Sequence, residues 1–190
     1  MKLPRLLLAG CALAGAAALR AEVQIERLLL PDAAPSSFAI GLPGGIGFCF
    51  DPVRGGLSYA WTGGFVDLTP ARPGMGKFIA PAKLGGPVVH RETGAAPLRR
   101  GDPARVPAVV FSGYTLRADA IEFRYTVDGV AVREEIRARA DGGALVRRIH
   151  VASDTDAKWW HVTDGRVATE LKREADGAFV IEVPLSGGAK

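Results

Sequence analysis

The C-terminal half of this chain is a series of alternating apolar segments separated by Asp-Gly pairs, which restricts it to antiparallel β-structure. Residues 121–127 (IEFRYTV) lead into Asp128-Gly129 and continue as residues 130–139 (VAVREEIRAR). Two strands joined by a two-residue Asp-Gly loop are the strongest short-range signal for a β-hairpin. Further Asp-Gly pairs begin at residues 141, 164 and 176. The sequence therefore predicts a C-terminal meander of hairpins.

The two-residue period of a strand divides residues 121–127 into two faces. One face is entirely apolar or aromatic and holds Ile121, Phe123, Tyr125 and Val127. The other is polar and holds Glu122, Arg124 and Thr126. Shorter candidate strands occur in the first half, and no amphipathic helix is evident. Many short strands with frequent turns predict an all-β fold, an antiparallel β-sandwich.

The first 21 residues have the pattern of a secretory signal peptide. Lys2 and Arg5 precede an uncharged apolar run over residues 6–19, and Ala21 supplies a small residue for cleavage. The run is shorter than the roughly 20 residues of a membrane-spanning helix. An exported, periplasmic or extracellular protein with no membrane span is expected. A lipoprotein anchored through Cys11 is the alternative, disfavoured because only residues 6–10 precede the cysteine as an apolar run.

Removal of that segment leaves a nearly neutral chain. The whole sequence has 24 Lys and Arg against 20 Asp and Glu, and three of the basic residues but none of the acidic ones lie in residues 1–21. The net charge falls from +4 to +1, so no nucleic-acid partner is expected. Residues 22–190 are predicted to form one domain. Within it, residues 69–107 are rich in Pro and Gly and are predicted to form a loop that acts as a lid or rim.

Several kinds of cofactor and catalytic site are excluded by missing motifs. There is no Cys-x-x-Cys-His for haem, no Gly-x-Ser-x-Gly, no Walker loop and no His-Glu-x-x-His. Cys49 is the one cysteine beyond residue 21, so neither an internal disulfide nor a multi-cysteine zinc site is expected. It is predicted to be a buried, small apolar residue. We expect no cofactor and no metal.

The candidate acid–base residues are His90, Glu92, His150 and His161. His90 and Glu92 are two residues apart on a candidate strand, so their side chains point the same way and could form an acid–base pair or half of a metal site. Catalysis would require at least two of the four to converge on one substrate position. The alternative is that they are ordinary strand-surface residues.

Residues 41–65 hold eight glycines and read as a glycine-framed hairpin with an aromatic face. Tyr59 and Trp61 lie on this hairpin, and Asp67 follows it. Trp159 and Trp160 are adjacent, so one is expected to face the core and the other solvent. These five residues are the ligand-binding candidates, because an exposed indole beside carboxylates suits stacking on a sugar. Burial of each aromatic in the core is the alternative.

The run AIGLPGGIGFCFDPVRGGLSYAWTGGFVDL, with FSGYTL, FRYTVDGVAVREEI and LVRRIHV, resembles an uncharacterised domain of exported bacterial multidomain proteins. That domain accompanies c-type cytochrome modules and sugar-dehydrogenase-like propellers. The resemblance implies redox or sugar-oxidising partners in the cell envelope and assigns no catalytic residue. The meander is also similar in rhythm to galactose-mutarotase-like sandwiches, which favours carbohydrate over other ligands.

Together these features lead to three expectations. The first is an exported, non-catalytic binding or accessory domain that binds carbohydrate or docks to an envelope partner. The second is a sugar-active enzyme of the epimerase or lyase type that uses its His and Glu side chains. The third is a purely structural interaction domain. The missing catalytic motifs favour the first.

Overall fold

The computed structural model describes residues 22–71, 80–152, 157–164 and 166–185. The predicted signal peptide and Cys11 lie outside this part of the chain. The strands, in chain order, are β1 (Gln24–Arg27), β2 (Phe38–Leu42), β3 (Ile46–Asp51), β4 (Gly56–Thr62), β5 (Val66–Asp67), β6 (Lys83–Leu84), β7 (Val88–Arg91), β8 (Leu98–Arg100), β9 (Val109–Leu116), β10 (Ala120–Val127), β11 (Val130–Ala138), β12 (Ala144–Val151), β13 (Trp159–Thr163), β14 (Val167–Glu170) and β15 (Phe179–Pro184).

Two five-stranded sheets pack face to face and form the sandwich. Their strand orders are β1-β2-β3-β4-β7 and β15-β12-β11-β10-β9, and every ladder is antiparallel. Phe50 of the first sheet stacks on Phe123 of the second, with ring centroids 3.7 Å apart. The predicted all-β sandwich is confirmed. Among the described residues, no helix has the length and apolar character needed to cross a membrane.

The second sheet contains the predicted hairpins. Asp128 and Gly129 both have positive φ (49° and 79°), as a two-residue hairpin loop of this kind requires. Ile121 and Phe123 are fully buried, whereas Arg124 is exposed, so the two faces are those predicted. After β12 the chain leaves this sheet: β13 and β14 join β8 in a separate three-stranded sheet, and β15 returns to pair with β12. Gly165, in the third Asp-Gly pair, lies outside the described residues.

The glycine-rich stretch of residues 41–65 forms the wall of a second, smaller core on the outer face of the first sheet. This core holds Leu30, Ala39, Cys49, Tyr59, Trp61 and Ala82. Gly47 is the cross-strand partner of Trp61, and a Cβ atom there would lie 2.2 Å from the indole. Glycine at this position therefore lets the ring lie flat on the strand. Cys49 is buried as expected, and burial raises the pKa of its thiol to about 11.

The Pro- and Gly-rich segment 69–107 contains a 3₁₀ turn (Thr69–Ala71), β6, β7 and β8, while residues 72–79 lie outside the described part. β7 completes the first sheet beside β4, and β8 pairs with β13. The segment therefore links the first sheet to the three-stranded sheet. Glu92, directly after β7, lies at the point where these sheets meet the second one.

Candidate functional site

The candidate site is built around Glu92. Its backbone N–H donates to the carbonyl oxygen of Ser58 (2.8 Å), which fixes the chain as it leaves β7. Its side chain reaches the opposite sheet, where Nη1 of Arg147 donates to Oε1 and Oε2 at 3.0 and 3.3 Å. The Glu92 side chain is 2 % exposed and that of Arg147 is 0 % exposed. This ion pair therefore crosses the interior of the sandwich.

The same guanidinium group binds a second buried carboxylate. Nε of Arg147 donates to Oε1 of Glu134 at 2.6 Å, and the Tyr125 hydroxyl donates to Oε2 of Glu134, also at 2.6 Å. Both Tyr125 and Glu134 are buried. A charge placed in a protein interior is tolerated when it is paired and hydrogen-bonded. Tyr125, Glu134, Arg147 and Glu92 form a continuous chain of such contacts, which we call the buried ionic network.

Glu134 and Arg147 were not among the predicted site residues, although strand periodicity indicates them. Glu134 lies between Val132 and Ile136 on the inward face of β11. Arg147 occupies the equivalent inward position on β12. The two-residue period requires every second side chain to face the same way. A charged residue flanked at i−2 and i+2 by buried apolar residues is the signal for an interior ion pair.

Three of the four acid–base candidates, namely His90, His161 and Glu92, lie together. Nε2 of His90 lies 3.5 Å from Oε1 of Glu92, and Nε2 of His161 lies 3.7 Å from the same oxygen. The ring of His161 also approaches Nη1 of Arg147 at 3.5 Å. His150 is not part of this group: it lies on β12 opposite Arg133 of β11, at a separate surface. β7, β12 and β13 thus bring two histidines and an arginine to one carboxylate.

The electrostatics of the site keep Glu92 ionised. Burial alone would raise the pKa of its carboxyl, but the Arg147 charge and the nearby His161 and His90 side chains outweigh burial. The net effect holds the pKa of Glu92 well below its usual value of 4.5. A carboxylate with such a low pKa, with both oxygens already bound to a guanidinium group, is a poor proton acceptor. Glu92 is therefore better suited to holding the structure than to removing a proton.

The lowered pKa of Glu92 gives a prediction about acid stability. Because this pKa is lower in the folded state, the contribution of Glu92 is fully present above pH 4.5 and is lost as pH falls from 4.5 towards the folded-state value. Glu92→Gln has no carboxyl group to titrate at this position. The free energy of unfolding of the wild type should therefore exceed that of the variant at pH 7, and this difference should shrink as the pH falls. Urea unfolding of both proteins between about pH 7 and pH 3 measures this difference.

Glu182→Gln is the matched control for this experiment, since Glu182 is exposed and pairs with Arg139 at the surface. Exposed pairs contribute about 0–1 kcal/mol, so this variant should follow the wild type at every pH. A difference between wild type and Glu92→Gln that stays constant with pH would contradict the assigned electrostatics.

A polar cleft of about 220 Å³ lies beside Glu92 at the surface. Its polar side chains come from three segments of the chain. They are Asp32 in the first, Asp51, Arg54 and Ser58 in the second, and Arg91 and Thr93 in the third. Arg54, in the turn between β3 and β4, donates from Nη1 to the backbone carbonyl of Glu92 at 3.3 Å. Its Nε and Nη2 atoms are out of solvent and have no hydrogen-bond partner among the described residues. Buried donors left unpaired cost free energy, so an acceptor that reached them would be bound favourably.

The aromatic candidates of the first sheet are buried in this structure. Trp61 is 0 % exposed, and its Nε1 donates to the carbonyl oxygen of Gly64 at 2.9 Å. Tyr59 borders the cleft but is 2 % exposed, and its hydroxyl donates to the carbonyl oxygen of Pro31 at 2.7 Å. The glycine backbone of the hairpin and the other residues of the second core, among them Leu30 and Ala82, enclose both rings. The hairpin therefore has an aromatic face that packs inward, and the exposed stacking face expected for it is absent from the described part of the chain.

The remaining ligand-binding candidates are dispersed. Trp159 is buried and Trp160 is partly exposed, as the strand alternation predicts, and Nε1 of Trp160 donates to the carbonyl oxygen of Gly101 at 2.7 Å. Asp67 is exposed, and hydrogen bonds from the side chain and the backbone N–H of Thr69 lower its pKa. None of these three borders the cleft beside Glu92. Within the described ranges, no group of three or more His, Cys, Asp or Glu side chains is arranged to hold a metal ion.

Comparison of the chain with protein-family models, with curated proteins and with solved structures gave no match. The site is a small cleft lined by Arg54, which has two donors without a partner among the described residues. Glu92 also lines the cleft and connects it to the buried ionic network through Arg147.

Proposed function

We propose that this protein is an exported, non-catalytic accessory domain that binds a carbohydrate in the cleft beside Glu92. The observation that carries the proposal is Arg54, which lines this cleft and whose guanidinium Nε and Nη2 atoms are out of solvent with no hydrogen-bond partner among the described residues. These two atoms lie along one edge of the guanidinium group and can bind one or two oxygen atoms together. The volume is below the roughly 300–1,000 Å³ of drug-sized ligand sites, which suits a single sugar unit.

The charge of the cleft favours a neutral polyol over an anion. Arg54 and Arg91 bring two positive charges, Asp32 and Asp51 bring two negative ones, and the charge of Glu92, which also lines the cleft, is paired with that of Arg147. A cleft with balanced charge does not attract an anion at long range. Sugar hydroxyls donate and accept hydrogen bonds at once, so they can use the guanidinium donors and the carboxylate acceptors of the same cleft.

The convergence of His90, His161 and Glu92 is the observation that favours the alternative, a sugar-active enzyme of the epimerase or lyase type. The Glu92 carboxylate is nevertheless turned inward to Arg147 and almost completely shielded from solvent. A general base must reach the proton that it removes. Binding without conversion is therefore the better-supported function. The signal-peptide pattern and the resemblance to an envelope domain support a place beside a redox or sugar-oxidising partner.

A thermal-shift and calorimetric screen of the protein against mono- and oligosaccharides tests the proposal. A bound sugar should raise the melting temperature, because it stabilises only the folded state. Arg54→Met should weaken binding of that sugar by more than about tenfold, since each hydrogen bond to a charged group contributes about 1.5–3 kcal/mol. Arg133→Met, which makes the same change at an exposed position outside the cleft, should bind as the wild type does.

The outcomes of this screen separate the three functions. A sugar recovered chemically unchanged from the complex supports the binding function. Conversion of the sugar would contradict the non-catalytic assignment and favour the enzyme. No binding by any sugar, or equal binding by wild type and Arg54→Met, would contradict the assignment of the cleft and favour a purely structural role.

A further inference from the structure

The outer edge of β9 is an unpaired strand edge with unusual composition. β9 ends the five-stranded sheet, with β10 on one side and no strand of the described residues on the other. Such an edge exposes a row of backbone N–H and C=O groups and can pair with another chain. Proteins usually protect edges with charged residues or proline. The eight residues of β9, VVFSGYTL, include neither.

The other edge strands of the described structure have this protection. β1 (QIER), β7 (VVHR), β8 (LRR) and β14 (VATE) each contain a charged residue, and β15 (FVIEVP) contains a charge and a proline. The short strands β5 and β6 contain Asp67 and Lys83. β9 also exposes apolar side chains: Val110 is 62 % exposed, Tyr114 39 % and Leu116 45 %. The lack of both charge and proline is specific to this one edge among the described strands.

A bulge divides β9 into two halves whose side chains mirror each other. Phe111 pairs with Tyr125 and Tyr114 pairs with Phe123, so both face the interior of the sandwich. The register shifts between these pairs and leaves Ser112 unpaired. The inward residues of β9 are Val109, Phe111, Tyr114 and Leu116. From each end of the strand to the bulge the order is inward, outward, inward. It is Val109, Val110, Phe111 in one half and Leu116, Thr115, Tyr114 in the other.

We propose that a second copy of this chain binds here, with the two β9 strands antiparallel about a two-fold axis between Ser112 and Gly113. In this register Phe111 lies opposite Tyr114 of the second copy, Val109 opposite its Leu116, and Val110 opposite its Thr115. Residues directly opposite each other in an antiparallel pair point to the same face. Every inward residue therefore meets an inward one, and no charged residue of β9 opposes another.

The match of faces and the absence of charge favour a second copy over an unrelated protein. A two-fold interface is self-complementary, so each contact is made twice by the same residues. The paired edges would join two five-stranded sheets into one continuous sheet and cover Val110, Tyr114 and Leu116. No residue of β9 lines the cleft of Arg54, so the dimer and the sugar-binding function can fail independently.

Sedimentation velocity measures the mass of the protein across a concentration series and tests the dimer. The wild type should sediment as a dimer, and Val110→Lys, which restores a protective charge to the edge, should weaken dimerisation by more than about tenfold. Val167→Lys is the matched control, because Val167 is also 62 % exposed and lies on another edge strand, β14. A monomeric wild type at about 100 µM, a range that detects weak association, would overturn the proposal, as would equal dimerisation of the two variants.

A cysteine cross-link tests the register without depending on a destabilising change. Val110→Cys combined with Thr115→Cys should give a disulfide-linked dimer under oxidising conditions, because these positions face each other in the proposed pair. Val110→Cys alone should give none beyond the wild-type level, since its opposite residue would be Thr115. Equal cross-linking of the single and double variants would overturn this register.

Discussion

Arg147→Met is expected to lower the free energy of unfolding by about 3–5 kcal/mol. The substitution removes the one positive charge between two buried carboxylates, those of Glu92 and Glu134. A buried charge costs free energy unless it is paired, and the guanidinium group of Arg147 pairs with both carboxylates. Folded domains are stable by about 5–15 kcal/mol, so the loss is a large fraction of the total. Urea unfolding at pH 7 followed by fluorescence measures it.

Arg133→Met provides the comparison, since Arg133 is exposed on β11, the neighbouring strand. It should change the stability by less than about 0.5 kcal/mol. A second variant, Arg147→Met with Glu92→Gln and Glu134→Gln, should recover part of the loss because no buried charge remains. If Arg147→Met were as stable as Arg133→Met, the buried ionic network would not hold the sheets together as described.

Trp61→Ala is expected to cost about 3–5 kcal/mol, the typical loss for a large buried aromatic residue. The indole is the largest side chain of the second core, and it lies flat on Gly47 with its N–H bound to backbone carbonyl oxygens. Removing it leaves a cavity that the glycine strand beneath cannot fill. Thermal and urea unfolding of the variant measure the cost.

Trp160→Ala is the control for this prediction, because Trp160 is partly exposed on β13. It should be destabilised by much less than Trp61→Ala. A reciprocal variant, Gly47→Ala, should also destabilise the protein, since its Cβ atom would lie 2.2 Å from the indole and force a shift of the ring or the strand. Equal losses for the two Trp variants would contradict the assignment of Trp61 to a core.

The sheet positions of most residues could be predicted from the sequence, because strand period and turn chemistry are local signals. The hairpin at Asp128-Gly129 and the two faces of β10 follow from residues close together in the chain. The inward charges of β11 and β12 follow the same period, but interior positions are normally apolar, so no charged residue was predicted for the buried face. Glu134 and Arg147 depart from that rule because they satisfy each other across neighbouring strands.

The candidate site could be predicted only in part, because it depends on contacts between distant segments. His90 and Glu92 are close in sequence, and their proximity was predicted. His161 joins them because β13 leaves the meander and pairs with β8, an arrangement that no local pattern indicates. The cleft of Arg54 likewise needs the β3–β4 turn to meet the residue after β7. For Trp61 the signal was available but ambiguous, since a glycine partner permits either a ligand or an indole to approach.

The side chain and the backbone of Glu92 have different structural roles. On the inner side its carboxylate holds the sheets together through Arg147, and on the outer side its backbone carbonyl positions Arg54 at the cleft. A rigid support of this kind fixes the geometry of the binding groups before the ligand arrives, which reduces the ordering cost of binding. Arg147→Met should therefore weaken sugar binding as well as stability.

The most direct test of the central claim is an NMR titration that follows the side-chain Nε–H signal of Arg54. The protein labelled with ¹⁵N is titrated with the sugar selected by the thermal-shift screen, and the signal is assigned by its loss in Arg54→Lys. The predicted result is a saturable shift of this signal in the wild type, together with weaker calorimetric binding of the same sugar to Arg54→Lys. A sugar that binds the protein while the Arg54 signal stays in place would contradict the assignment of the cleft.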